Sequence, residues 1–243
     1  IKNHSGRPSD EPSSLYNAMI SPLTNYCIKG AIWYQGESNV SRASSYAKLK
    51  NSMIEGWRRG WNQGSFPLYL VQISPDKYDG SEKISSAFLR EAQLNTMLNT
   101  SNTGMAVSLD VGDENSIHPS RKFILGKRLA YWALNKDYGL KSVQFSGPVY
   151  KSFEIKHDKV LIKFDFAENG LYSPDDLINN FELASDDKIF YPADAKIMWN
   201  YLEVQSDQVK NPVHVRYGWK NYLIGNLFNI KGLPASSFRT DSW

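Results

Sequence analysis

Between Lys29 and Leu134, short apolar runs alternate with stretches of helical period. Lys29–Tyr34 (KGAIWY) predicts a buried strand whose end opens into a loop at Gln35-Gly36. Ser45–Arg58 places Tyr46, Leu49, Met53, Ile54 and Trp57 on one helical face, with Gly60 as a stop signal. Leu68–Ile73 (LYLVQI) predicts a second strand, closed by Ser74-Pro75-Asp76, and a helix is expected over Ser86–Leu98. Met105–Leu109 predicts a third strand running into Asp110. Ser120–Leu134 then sets Leu125, Leu129, Trp132 and Ala133 on one face, with Ser120 as N-cap. Strand and helix alternating three times is the pattern of a parallel sheet covered by helices, an α/β fold.

After Lys141 the period shortens. Val160–Phe166, Phe181–Leu183 and Tyr201–Val204 alternate in strand fashion between Gly, Asn, Asp and Pro, and Gly147-Pro148 marks a turn near the change. The chain therefore divides into an α/β part over 1–140 and an antiparallel β-rich module over 141–243.

Composition narrows the function classes. A chain of 243 residues with 41% hydrophobic and 13% aromatic residues has the material for a packed core and is not disordered. A net charge of +3 calls for neither nucleic acid nor an anionic membrane as partner. No apolar run approaches the roughly 20 residues that span a bilayer. The single Cys27 excludes an internal disulfide framework and a multi-cysteine zinc site, and no cofactor or metal is expected. The opening IKNHSGRPSDEPSS is polar, does not begin with Met and lacks the apolar core of a signal peptide. Either a targeting segment has been removed or the chain is a piece of something longer.

In an open parallel sheet, ligands bind beyond the C-terminal ends of the strands. Three segments fall there: 35–39 (QGESN), 74–76 (SPD) and 110–119 (DVGDENSIHP). In the last, His118 can take up and return a proton near neutral pH, or it can serve as a surface or helix-capping residue. His4, His157 and His214 fall in the polar opening or the β-rich part and are weaker candidates. Gln35 offers two amide N–H donors suited to a developing oxyanion, or it can satisfy loop carbonyls. Gly36 permits close backbone approach, and Glu37 can order the loop or lie in solvent. Ser38 lacks the surroundings of a nucleophile elbow, because G-x-S-x-G needs Gly at position 40, which is Val40.

WYQGESN at 33–39 and SIHP at 116–119, followed by a helix containing Gly126 and Arg128-Leu129-Ala130, resemble the sialate O-acetylesterases, SGNH-type carbohydrate esterases. Ser14–Leu23 is similar to the family's LYNAMI-PL segment and Leu89–Gln93 to its REAQ helix. SGPVY at 146–150, VRYGW at 215–219, GNLFN at 225–229 and the segment 232–243 extend the likeness to nearly the whole chain. The resemblance implies a partial SGNH-like sheet and a serine esterase acting on O-acetylated sialic acids. Within it, His118 is the general base, Gln35 the oxyanion donor, and Gly36 and Glu37 shape that loop. It also suggests a secreted, periplasmic or lysosomal setting.

Two departures stand out. The family's Gly-Gln-Ser nucleophile motif is absent, as is Gly-Asp-Ser, and in the family it lies upstream of the LYNAMI segment. The expectation is a C-terminal part that partners the N-terminal portion of the same enzyme and is inactive alone. A strand lost with that portion would leave exposed edges and apolar patches. Second, related esterases often place Asp three residues before the His, where this chain has Asn115. Asp113, Glu114 or Asn115 is then the third catalytic member, unless the enzyme works as a Ser-His pair.

Two other readings compete: a catalytically inactive carbohydrate-binding module using the abundant Trp and Tyr, and an esterase for acetylated xylan. Arg90 and Arg239 are candidates for a sialic-acid carboxylate or for structural pairing. Sequons at Asn3, Asn39 and Asn99 are glycan acceptors only on a eukaryotic secretory route.

Overall fold

A computed structural model describes residues 11–175 and 177–243; His4 and Asn3 lie outside them. The α/β expectation holds in element order. Strands β1 (Ala31–Tyr34), β2 (Leu68–Val71) and β3 (Thr103–Ala106) alternate with helices α1 (Ala43–Trp61), α2 (Ser85–Asn99) and α3 (Lys122–Lys136). The strands pair in parallel in the order β1-β2-β3. The central strand β2 is buried at every residue, as a run with no polar alternation requires.

The helices cover both faces. Trp33 meets Trp57 of α1 edge-on at 5.7 Å, so the Ala31/Trp33 face lies against α1. Ile32 is in register with Tyr69, whose ring lies 5.8 Å from Trp132 of α3. The Ile32/Tyr34 face is therefore the α3 face. On it α3 reaches β2 and β3, while Ile32 remains 69% exposed. Among the described residues β1 has no partner on its outer side. Ala31 N–H is turned to Pro67 C=O beside β2, so by alternation the amides of Ile32 and Tyr34 point to the open edge. Leu15, Met19, Leu23 and Tyr26, before this strand, are exposed apolar side chains as well.

Several boundaries differ from the sequence reading. Helix α1 passes Gly60 and stops at Trp61; Asn62, in left-handed backbone at φ 50°, caps it through its N–H to Arg58 C=O. Ser120 does not N-cap α3, which begins at Lys122 after Arg121 without a side-chain cap. Strand β2 ends at Val71, two residues early, because Ile73 N–H leaves the ladder for Gln93 Oε1. Strand β3 ends at Ala106, where Val107 C=O is taken by Arg128.

The β-rich half has nine strands among the described residues: β4 (Val149–Lys156), β5 (Lys159–Asp165), β6 (Leu171–Tyr172), β7 (Ile178–Ala184), β8 (Phe190–Ile197), β9 (Tyr201–Gln205), β10 (His214–Tyr217), β11 (Phe228–Asn229) and β12 (Phe238–Arg239). Seven form an antiparallel sheet in the order β12-β10-β7-β8-β9-β5-β4, and β6 pairs with β11. One apolar core runs through both halves, from Ile54 and Leu70 to Val215 and Phe238. Helix α2 is the joint. Arg90, fully buried, donates to Ser86 Oγ, Ser237 Oγ and the carbonyls of Gly218 and Lys220. Arg239 reaches back to Glu91 at 2.9 Å.

Candidate active site

The loop after β1 is built around the Gln35 carboxamide. Its Nε2 donates to Asn39 Oδ1 at 2.7 Å, and its Oε1 accepts from Tyr46 Oη at 3.3 Å. The Tyr46 hydroxyl also reaches Gln35 C=O at 3.0 Å, and Gln93 Nε2 donates to the same carbonyl at 3.2 Å. One amide hydrogen of Gln35 is thus committed and the other is left to donate. Gly36 lets this loop approach α2: a Cβ here would lie 2.8 Å from Ile73 Cγ2 and 2.9 Å from Gln93 Nε2. Glu37 opens a 3₁₀ turn (Glu37–Arg42) and is half-buried.

His118 lies in the loop after β3, at the same end of the sheet. Its imidazole is exposed and has no hydrogen-bond partner among the described residues; its backbone N–H is held by Ser116 Oγ at 3.1 Å. The loop is pinned at its root, where Arg128 makes a bidentate pair with Asp110 at 2.7 and 2.6 Å. It is also laced to the loop after β2. Asp113 N–H donates to Pro75 C=O, Lys77 N–H to Glu114 C=O, and Ser81 Oγ to Glu114 Oε1 at 2.6 Å. Gly112 permits this approach, since a Cβ there would lie 2.5 Å from Pro75 O. With β1 and β3 flanking β2, the Gln35 and His118 loops spring from strands about 10 Å apart.

The possible third members are otherwise engaged. Asn115 Oδ1 accepts from Lys77 Nζ at 3.0 Å, Asp113 Oδ1 from Asn115 N–H, and Glu114 from Ser81. Among the described residues none of the three bonds to the His118 ring. His157 sits in the turn between β4 and β5, and His214 begins β10 with its ring 4.5 Å from Trp243, both in the β-rich half. Arg90 and Arg239 are consumed by structural contacts. Arg90 is surrounded by its four bonded oxygens, with burial bringing its pKa down to about 10, and Arg239 is shared between Glu91 and Asp241.

Sequence reading alone missed a cluster beside Gln35. The Tyr34 hydroxyl meets Ser74 Oγ at 3.3 Å, Tyr78 Oη approaches Ser74 C=O at 3.5 Å, and Lys122 Nζ lies 4.9 Å from the Tyr34 ring centre. Burial raises the Tyr34 and Tyr78 phenol pKa values, so both stay protonated donors. The signal available was polar residues at three strand ends, but their meeting depends on strand order.

The profile of the carbohydrate esterase family of sialic acid-specific acetylesterases matches residues 4–135, more than half of the chain. The chain belongs to that family. The sialate O-acetylesterases of Homo sapiens and Pongo abelii are each 31% identical to it over 231 residues, covering 86% of this chain and 44% of theirs. A crystal structure of a carbohydrate acetylesterase from Xanthomonas citri superimposes with a TM-score of 0.89 at 36% identity, covering 97% of this chain and 57% of that one. This family member thus spans about half the length of the relatives it matches. Among its described residues no three His, Cys, Asp or Glu side chains are placed to hold a metal, and no helix is long and apolar enough to cross a membrane.

Proposed function

We propose that this chain supplies the base and the oxyanion donor of a serine esterase that removes O-acetyl groups from sialic acids or closely related acetylated sugars. The observation that carries the reading is the Gln35 carboxamide, held at both its nitrogen and its oxygen with one N–H unengaged among the described residues, at the same sheet end as the His118 imidazole, which has no hydrogen-bond partner among them. His118 takes the proton of an attacking serine and returns it to the sugar oxygen as the acetyl group passes to that serine; it then takes a proton from the water that attacks the acetyl-serine and gives it back to the serine oxygen as acetate leaves. Gln35 donates to the oxygen of the tetrahedral intermediate, where its preset position spares reorganisation during the reaction. Gly36 and Glu37 shape its loop. Asn115 orients Lys77 and the loop, and the geometry favours a Ser-His pair over a triad completed by Asn115.

The serine comes from outside these residues, from an N-terminal portion of the same enzyme. The outer edge of β1, unpaired among the described residues, supports this reading: a parallel strand added there would end beside Gln35, one strand spacing of about 4.8 Å away. The test mixes the chain with a separately produced N-terminal portion and follows acetate release from O-acetylated N-acetylneuraminic acid. Turnover that needs both pieces is expected. Sugar binding with no turnover in any mixture would instead mark a carbohydrate-binding module.

A further inference from the structure

Resting on that reading, we propose that Lys122 is the residue that recognises the carboxylate of an acidic acetylated sugar. An acidic sugar differs from a neutral one by a fixed negative charge, so a site that prefers it must offer a cation not already neutralised. The two arginines that sequence reading marks for this task are occupied inside the fold. On the same rim, Lys77 has one ammonium N–H committed to Asn115 Oδ1 at 3.0 Å.

Lys122 differs on three counts. Its ammonium rests on the Tyr34 ring, 4.9 Å from the centroid, one residue before Gln35 in the chain. It is four residues after His118, at the first position of α3, so its contact with Tyr34 ties the helix that follows the His118 loop to the strand that leads into the Gln35 loop. It is exposed, and no carboxylate forms an ion pair with it among the described residues. Glu37, whose charge acts on Tyr34, is not within ion-pair distance of it. The aromatic face steadies a cation without neutralising it, so the charge stays available to a ligand.

The test is binding, independent of turnover. The 243-residue chain is titrated with N-acetylneuraminic acid and with its methyl ester, which removes the charge and keeps the sugar. We expect the acid to bind about tenfold more tightly than the ester, the effect of one charge-assisted hydrogen bond. Lys122→Met should erase that difference and leave ester binding as it was, and Lys122→Arg should retain it. Acid and ester binding alike, neither binding, or Lys122→Met weakening both equally, would each overturn the proposal. Acid preference that depends on Lys122, in a chain that no N-terminal portion makes active, would refute the esterase reading and leave this one standing.

Discussion

Lys50 is a buried amine with no counter-ion among the described residues, and removing it should stabilise this chain in a way that depends on pH. The side chain is 4% exposed on the inner face of α1, its Nζ lies 3.5 Å from the Trp33 ring centre, and no hydrogen-bond partner reaches it among the described residues. Burial pushes its pKa from 10.5 down to about 6. In the unfolded chain the amine keeps its ordinary pKa, so between about pH 6 and 10.5 the unfolded state binds more protons. Stability must then rise with pH across that window, whereas below it both states are protonated and the penalty of burial is felt in full. One proton is worth at most about 1.4 kcal/mol per pH unit, so the ceiling between pH 6.5 and 8.5 is about 2.7 kcal/mol. The cation–π contact with Trp33 offsets part of the penalty at the acidic end. Lys50→Met keeps the length and apolar stem and deletes the titration. Urea denaturation of both proteins at pH 6.5 and 8.5 should show the variant more stable at the lower pH, with the gap narrowing at the higher. A variant that is less stable at pH 6.5, or a gap that does not narrow, would show that Lys50 is not an unpaired buried base.

Gly36→Ala should cost about 1–3 kcal/mol of stability by overpacking, since the new methyl falls on Ile73 and Gln93; its urea midpoint checks this, and in the proposed mixture with an N-terminal portion acetate release should fall as Gln35 is displaced. Asp110→Ala strands the nearly buried Arg128 guanidinium and should cost about 3–5 kcal/mol, read in the same denaturation assay. Asn115→Ala removes the acceptor of Lys77 and nothing from the imidazole, so turnover of the reconstituted enzyme should fall far less than with His118→Ala.

The parallel sheet was legible because KGAIWY, LYLVQI and MAVSL are apolar runs separated by helical periods, and periodicity reports local structure directly. The strand ends were less so. Ile73 and Val107 carry strand-like side chains, yet their backbone groups are claimed by Gln93 and Arg128 from other elements. Gln35 and His118 could be named from residue type and motif. The groups that hold them, Tyr46 and Gln93 around Gln35 and the lacing of the His118 loop to Pro75, Lys77 and Ser81, are contacts between segments far apart in sequence. Asn115 shows the reverse: its spacing from His118 invites a catalytic role, while its carboxamide oxygen is turned to Lys77. Arg90 could be read as a ligand-binding cation for the same reason, because its four partners lie in α2 itself and in the returning chain past residue 217.

The proposed division of labour between residues 35 and 118 is directly measurable. Reconstituted with its N-terminal portion, the enzyme should lose about 10²–10³ in kcat with Gln35→Ala at nearly unchanged KM, the mark of a donor that acts on the transition state. His118→Ala should lower turnover at least as far. Acetate release that survives His118→Ala, or a Gln35→Ala variant altered in KM alone, would contradict it.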